Sequence, residues 1–174
     1  ESLSFKMQGM FPYANCYSLK ESKTWFEKLN ISQKIESDLP IERAIFSLLH
    51  ICMMKLDISM VTWIFHALES IYGTNSGRGF NDMSSQIFFL LKIPERKQKS
   101  FKKKLRELND LRSSFVHGGY KVPHPLNDDI NEQIYELTNF GVVLIICSLQ
   151  QLMKNNWSGL KVSEVYEGNM CEHS

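Results

Sequence analysis

Apolar residues recur at helical spacing along most of this chain, and this periodicity constrains the fold more than any other feature of the sequence. Between residues 57 and 72 the predicted core face is formed by Met60, Val61, Ile64, Phe65, Leu68 and Ile71. Between residues 41 and 55 the apolar residues recur at helical spacing, as the stripe of a buried amphipathic helix does, at Ile41, Ala44, Ile45, Leu48, Leu49 and Cys52. Pro40 at the first turn and Asp38 as a candidate cap mark where this helix begins. The same spacing occurs elsewhere in the chain, and it predicts further helices over residues 22–29, 57–72 and 128–155. Two more helices are predicted between residues 73 and 128. One is capped by Asn81 or Asp82 and ends at residue 91, and the other is a basic helix that stops at Gly118.

Residues 140–147 are the segment where a buried strand competes with a helix, because nearly all of them are apolar and several are β-branched. The helical spacing continues on both sides of this run, through Ile134, Leu137 and Leu152, so a central helix is the preferred interpretation. The run is too short to cross a bilayer, and no membrane segment is predicted. The sequence therefore predicts an all-α protein, a bundle of about five core helices.

Composition divides the chain into three parts. Residues 1–34 are predicted to form an irregular N-terminal arm and a short helix, since Gly9 and Pro12 interrupt a stretch rich in aromatic residues. Residues 35–157 hold the periodic segments and are predicted to form the bundle, and residues 158–174 are predicted to form a loose C-terminal tail. Because the first residue is Glu1 and not Met, the chain is expected to be a fragment of a longer polypeptide.

The cysteines and the lack of familiar motifs exclude several classes of protein. The four cysteines show no Cys-x-x-Cys spacing, which argues against a zinc site or disulfide framework and favours a reducing cytoplasm. His66 and Glu69 lie close in sequence, but no further metal ligand follows at useful spacing, so His66 is interpreted as a core or surface histidine. No metal and no cofactor are predicted. Without a Gly-x-Ser-x-Gly elbow or a His-Glu-x-x-His helix, the serine hydrolase and metalloprotease classes are removed.

Positive charge is concentrated in one short segment. Residues 92–106 contain eight Lys or Arg and one acid, a local net charge of +7, whereas the rest of the chain has twelve basic and eighteen acidic residues. The overall net charge of +1 therefore hides a strongly polarised molecule. Such a cluster along one helix is typical of contact with a phosphate backbone, and a solvated helix face is the alternative interpretation.

The basic helix runs into a compact polar motif, Asp-Leu-Arg-Ser-Ser-Phe-Val-His-Gly-Gly, at residues 110–119. The glycines are an expected helix stop, so His117 is predicted to lie in the last turn, where the helix dipole favours positive charge. Arg112 and His117 lie about 140° apart around the helix axis and do not share a face. A second copy of the helix beside a twofold axis would bring Arg and His from both chains into one cleft.

The residues alone leave two interpretations of this motif open. Asp110, Ser113 and Ser114 fall near the same face of the helix as His117, where they are expected to orient the imidazole. The simpler alternative is that Arg112 pairs with a carboxylate and that His117 only caps the end of the helix.

A second motif upstream favours the functional interpretation. Residues 65–73, Phe-His-Ala-Leu-Glu-Ser-Ile-Tyr-Gly, and residues 111–119, Leu-Arg-Ser-Ser-Phe-Val-His-Gly-Gly, together resemble the Apea-like branch of the HEPN superfamily over roughly residues 35–157. The family pattern is an ALExLYG helix end followed by an LRSxxVHG helix end. The resemblance implies an HEPN-type bundle that dimerises through its motif helices. In many members it also implies a metal-independent endoribonuclease whose motif Arg and His are the active residues.

The resemblance assigns roles to residues of this chain. Arg112 would neutralise the charge that develops on the attacked phosphate, and His117 would act as general base or acid on the ribose 2′-hydroxyl or the leaving oxygen. Such chemistry leaves a 2′,3′-cyclic phosphate or its hydrolysed form. Supporting roles are expected for Ser113, Glu69 and Asp110, and contacts to the RNA backbone for Lys97, Lys99, Lys102 and Lys103.

The implied protein is a homodimeric endoribonuclease of a bacterial defence or toxin type that cuts tRNA or other cellular RNA in the cytoplasm. An antitoxin or a sensor domain of the same polypeptide would regulate it. The alternative is a non-catalytic HEPN module that dimerises and binds RNA or protein within a larger sensor protein. Ser113 favours this alternative, because many active members have Asn, Asp or His directly after the arginine. A third class, a small-nucleotide sensor or the partner of a nucleotidyltransferase, is implied only by what other members of the family do.

Overall fold

The computed structural model describes residues 11–54, 57–73, 79–124, 126 and 128–161 of the chain. These residues form six α-helices and one 3-10 turn and contain no strand, which confirms the all-α prediction. The helices are α1 (Leu19–Lys28), α2 (Pro40–Met53), α3 (Met60–Tyr72), α4 (Gly79–Leu90), α5 (Glu95–Val116) and α6 (Asp128–Lys154), and the 3-10 turn is Ile31–Gln33.

Helices α2 to α6 form the bundle, with α3 and α6 at its centre. Each of these two helices packs against the other and against α2, α4 and α5. Residues 140–147 lie within α6 and are helical, so the preference for a helix over a strand is confirmed. By length and composition Glu132–Lys154 is apolar enough to cross a membrane, but 72% of the apolar stretch within it is buried in the bundle. The segment is therefore weak evidence for a membrane span.

Residues 11–17 are irregular and lie on the bundle. The Phe11 ring meets the Phe101 ring of α5 edge to face, with 6.2 Å between the ring centroids. The Asn15 N–H donates to Gln150 Oε1 at 2.8 Å, and Gln150 Nε2 donates to the Asn15 carbonyl at 2.7 Å. The arm therefore packs against α5 and α6 over these residues, while residues 1–10 lie outside the described part of the chain.

Several predicted helix boundaries are wrong, and each has a local reason. Helix α1 begins at Leu19 instead of residue 22 because Ser18 and Glu21 form a capping box. Asn81 and Asp82 lie inside α4 and do not cap it, since that helix begins at Gly79. Helix α3 begins at Met60, after a turn over residues 57–59.

The cap of α2 also differs from the prediction, because Glu42 supplies it and Asp38 does not. The Glu42 Oε2 atom accepts hydrogen bonds from the Asp38 N–H at 2.8 Å and from the Leu39 N–H at 2.9 Å. Lys34 Nζ lies 3.5 Å from Glu42 Oε1, and the Glu42 side chain is only 2% exposed. This buried carboxylate satisfies backbone donors that would otherwise lack partners at the start of the helix.

We expect Glu42→Gln to lower the thermal midpoint at neutral pH and to flatten the loss of stability in acid. The pKa of Glu42 is lowered, chiefly by the hydrogen bond from the Leu39 N–H and further by Asp38 and Lys34. The carboxylate therefore stabilises the fold above its unfolded pKa of about 4.3, and this contribution is lost as the pH falls through the lower folded value. Thermal unfolding across the acid range measures it. Glu27→Gln, which removes only the exposed pair with Lys23, is the control and should leave the profile unchanged.

Candidate active site

Arg112 lies on the side of α5 that faces α3. Its guanidinium stands over the Phe65 ring, 5.6 Å from the ring centroid, and its Nη2 lies 3.7 Å from Glu69 Oε1. Phe65 is 1% exposed, whereas the Arg112 side chain is 34% exposed. A buried aromatic ring thus supports the guanidinium, and part of its surface remains open to solvent.

The ion pair between Arg112 and Glu69 joins α5 to the last turns of α3. Both side chains are more than a third exposed, and pairs of this kind contribute about 0–1 kcal/mol. Glu69 therefore orients the guanidinium without binding it strongly. The guanidinium can therefore leave this carboxylate at small cost in free energy.

His117 is the C-cap residue of α5, one position beyond the last turn in which the sequence placed it. Its N–H donates to the Ser113 carbonyl at 3.0 Å, and Gly118 follows with a left-handed φ of 74° that ends the helix. The side chain is exposed. Within the described residues the imidazole has no hydrogen-bond or ion-pair partner, so both of its nitrogens are available to a ligand.

The residues expected to orient His117 do not contact its imidazole in the described chain. Asp110 is exposed on the outer side of α5. Ser113 contributes its backbone carbonyl, and the Ser114 hydroxyl donates to the Leu111 carbonyl at 2.9 Å. The structure thus brings Glu69 to Arg112 but brings no supporting side chain to His117.

The four lysines predicted to contact RNA are not equivalent. Lys97 points to the arm, with Nζ 4.1 Å from the centroid of the Phe11 ring. Lys103 forms an exposed pair with Glu107 at 3.8 Å. Lys99 and Lys102 have no ion pair among the described residues. Lys97 is thus occupied by the arm, and the other three remain accessible.

Helical geometry places the accessible basic residues on the same side of α5 as His117. Lys99 precedes His117 by five helical turns, and Lys103 and Arg106 lie within about 40° of the same direction. Asp110 lies within about 20° of this direction as well, so the line of residues that we call the outer stripe holds three basic residues and one acid before His117: Lys99, Lys103, Arg106 and Asp110. Arg112 lies about 140° away from it, among the residues that pack toward α3. The basic surface of one chain therefore leads to its His117 and away from its Arg112.

Tyr120 is a residue of this region that the sequence analysis did not identify. Its N–H donates to the Ser114 carbonyl at 2.9 Å, and its ring meets Phe115 edge to face at 6.2 Å. Burial raises the pKa of Tyr120, and its hydroxyl has no hydrogen-bond partner within the described residues. Through these two contacts, Tyr120 packs the segment that follows the glycine turn against the last turns of α5. Its only signal in the sequence is an aromatic residue directly after Gly119.

The fold and the site together define the class of this protein: an all-α helical bundle that presents an arginine and a histidine at the end of a basic helix. Comparison with protein-family models, with curated proteins and with solved structures gives no match to this chain. In the part of the chain that the structure describes, no group of three or more His, Cys, Asp or Glu side chains is placed to hold a metal ion.

Proposed function

We propose that this protein is an HEPN-type, metal-independent endoribonuclease whose site combines Arg112 and His117 at the interface of a homodimer. The observation that carries the proposal is the state of these two side chains. Arg112 is held at the surface by a buried ring and one weak counter-ion, and His117 is exposed with its imidazole unpartnered within the described residues. The simpler interpretation requires only the Arg112–Glu69 pair and gives no account of the basic stripe that ends at His117.

The chemistry needs proton transfer and stabilisation of negative charge, and His117 and Arg112 contribute one of these each. The ribose 2′-oxygen attacks the adjacent phosphorus, the bond to the 5′-oxygen of the next nucleotide breaks, and a 2′,3′-cyclic phosphate remains. His117 either accepts the proton of the 2′-hydroxyl or donates one to the leaving 5′-oxygen, and water makes the other of these two proton transfers. Arg112 faces the nonbridging phosphate oxygens and stabilises the negative charge that increases on them in the transition state.

A second copy of the chain supplies what one copy lacks. Arg112 and His117 of one chain point in different directions from α5, so a single phosphate does not reach both easily. Two motif helices related by a twofold axis would place the His117 of one protomer beside the Arg112 of its partner. Val116, directly before His117 in the chain, is 51% exposed, and Val122, five residues after it, is 79% exposed, and exposed apolar side chains of this kind suit a protein contact.

A non-catalytic module that dimerises and binds RNA or protein is the second candidate function. The observation that favours it is the lack of any side chain from Asp110, Ser113 or Ser114 on the imidazole of His117. A general acid or base normally has a neighbour that fixes its ring. Assembly with a partner copy, an antitoxin or a sensor domain would have to supply that neighbour.

Cleavage of tRNA and total RNA in the presence of EDTA tests the proposal. The wild-type chain is expected to cut, and His117→Ala is expected to lose about 100-fold or more of the rate, as for removal of a general acid or base. Mass spectrometry of the fragments should find 2′,3′-cyclic phosphate ends or their hydrolysed form. His124→Ala removes another exposed histidine and should cut like the wild type. Undiminished cutting by His117→Ala, or its loss in chelator, contradicts the scheme, and absence of cutting by the wild type favours the binding module.

A further inference from the structure

A polar cavity opens between α2 and α3, away from the candidate active site, and His66 in its lining lies one helical turn before Glu69. It measures about 350 Å³. We call it the α2–α3 cavity, and the residues that matter in its lining are Glu36, Arg43, Ser47, His50, Trp63 and His66. His50 lies off the apolar stripe of its helix, and from its sequence context His66 is a core or surface histidine. Neither residue has a part in the reaction proposed above.

The aromatic wall of the cavity is built from three rings. The His50 and Trp63 rings are stacked, with centroids 4.3 Å apart and an angle of 11° between their planes. His66 meets Trp63 edge to face at 6.1 Å. His50 and His66 are exposed and Trp63 is half-buried, so these rings form a surface that a flat ligand can reach.

The hydrogen bonds of Ser47 fix the orientation of His66. The Ser47 hydroxyl lies 2.7 Å from the Arg43 carbonyl and 2.8 Å from His66 Nδ1. Either group can be the donor in the contact between Ser47 and His66, and in both cases the contact occupies Nδ1. The other ring nitrogen, Nε2, is left for a ligand.

This arrangement excludes two familiar uses of a histidine beside a serine. A serine hydrolase presents its hydroxyl to the substrate, whereas Ser47 is only 1% exposed and also contacts the Arg43 carbonyl at 2.7 Å. A metal site needs more ligands, and within the described residues no group of three or more His, Cys, Asp or Glu side chains is suitably placed. The cavity is therefore built to bind a ligand and not to attack one.

The lining of the cavity carries one basic and one acidic side chain, and the basic one, Arg43, is placed to bind an anion. Arg43 Nη1 donates to the Asp38 carbonyl at 2.9 Å, and no carboxylate lies within ion-pair distance of Arg43 in the described chain. Its other N–H groups are free to bind a phosphate, which arginine does with two parallel hydrogen bonds. Glu36, the one acid of the lining, is exposed and can accept hydrogen bonds from an amino group or a sugar hydroxyl.

The cavity and the candidate active site share helix α3. His66 lines the cavity, and Glu69, which contacts Arg112, follows it three residues later, about 60° around the helix axis and about 4.5 Å along it. Trp63 lies on the far side of His66, about 120° around the axis from Glu69. A ligand at the His66 end of the cavity would therefore lie about one helical turn from the carboxylate that contacts Arg112.

We propose that the α2–α3 cavity binds one unpaired nucleotide of the RNA substrate, adjacent to the phosphate that is cut. Its base stacks on the His50–Trp63 pair, an edge of the base or the ribose bonds to His66 Nε2, and its phosphate pairs with Arg43. This inference rests on the proposed function in taking RNA as the ligand. A free mononucleotide shares the same chemistry, and the experiment separates the two sources. A cavity of this kind would make cleavage prefer single-stranded sites, because a paired base cannot enter it.

Binding of a 2′-O-methyl oligoribonucleotide to the full chain tests the inference without depending on cleavage, since the blocked 2′-oxygen cannot attack. Fluorescence anisotropy of the labelled oligonucleotide should show that Trp63→Leu weakens binding about 5- to 100-fold, the effect of losing one stacked base. Trp63→Phe keeps an aromatic ring and should stay within about threefold of the wild type. His50→Ala, a change at the surface, should also weaken binding, which separates loss of stacking from loss of folding. Lys23→Gln, an exposed control on α1, should bind like the wild type.

Three results would overturn the inference. The first is that the wild type does not bind the oligonucleotide. The second is that Trp63→Leu and His50→Ala bind it as tightly as the wild type does. The third is that a mononucleotide such as AMP binds as tightly as the oligonucleotide, which would identify a free nucleotide as the ligand. The cleavage assay tests the proposed nuclease separately from these three binding results. Binding that depends on Trp63 without any cutting of unblocked RNA would remove the nuclease and keep the nucleotide site, and cutting without such dependence would do the reverse.

Discussion

Gly141→Ala is expected to destabilise the bundle by about 1–3 kcal/mol, although glycine to alanine in an open helix stabilises by about 1 kcal/mol. A Cβ atom at this position would lie 2.6 Å from Ile64 Cγ2, 3.1 Å from Ile64 Cδ1 and 3.1 Å from Leu108 Cδ2. Ile64 and Leu108 are fully buried, so neither side chain has free space into which it can turn. The added methyl group must push α6 away from α3 and α5, and this costs more than the improved helix propensity returns.

Chemical denaturation of the variant measures this effect, and two further variants make the result specific. Gly159→Ala is the matched control, because a Cβ atom there meets nothing within 4 Å, and its effect should stay within about 0.5 kcal/mol. The double variant Gly141→Ala with Ile64→Ala should be more stable than the sum of the two single changes predicts, since the second change removes the atoms that clash. A neutral or stabilising Gly141→Ala would show that α3 and α6 do not approach this closely.

The periodicity of the sequence was sufficient to predict the bundle because the burial of a helix face is largely a local property. In α3 the predicted core residues Ile64, Phe65 and Leu68 are all buried, with exposures of 0–1%. In α2 the same reasoning is less accurate, since Leu49 belongs to the predicted stripe and is 53% exposed. An apolar pattern shows which residues can be buried, and the arrangement of neighbouring helices decides which of them are covered.

The candidate site was only partly predictable, because its contacts join segments that are distant in the sequence. The motif indicated Arg112 and His117, and the structure adds that Phe65 supports the guanidinium of Arg112. No spacing rule relates a buried phenylalanine on α3 to an arginine on α5. The α2–α3 cavity was missed for a similar reason, since His50 and His66 look ordinary on their own helices and gain a joint role only when those helices pack together.

The role of Gly141 was likewise absent from the sequence. From the sequence, a single glycine in an apolar helix predicts only a modest loss of helix propensity. Its importance comes from the close crossing of three helices, and that crossing is a property of the packed bundle. Wherever a function of this chain depends on such crossings, the sequence indicates the residue types involved and the structure supplies their partners.

Arg112→Ala is expected to reduce RNA cleavage by about 100- to 1,000-fold, the effect of removing one donor that stabilises charge in a transition state. The fold should change little, because the Arg112–Glu69 pair is more than a third exposed on both sides and contributes about 0–1 kcal/mol. Arg112→Lys keeps the charge but loses the planar fork and its stacking on Phe65, so it should recover only part of the rate. Arg96→Ala removes a positive charge from the same helix and is the control for a general loss of phosphate attraction.

A double-mutant cycle with Glu69 separates catalysis from simple charge attraction. Glu69 orients Arg112 but also competes with phosphate for it, so Glu69→Gln is expected to change the cleavage rate by less than about tenfold. If Glu69 acts only through Arg112, Glu69→Gln should have no further effect in the Arg112→Ala background. The measurements are single-turnover rates at several salt concentrations, because a loss caused by weaker binding shrinks at low salt and a loss of transition-state stabilisation persists. An Arg112→Ala protein that is folded, dimeric and as active as the wild type would remove Arg112 from the site, and the Arg112–Glu69 pair would then be only a structural link between α5 and α3.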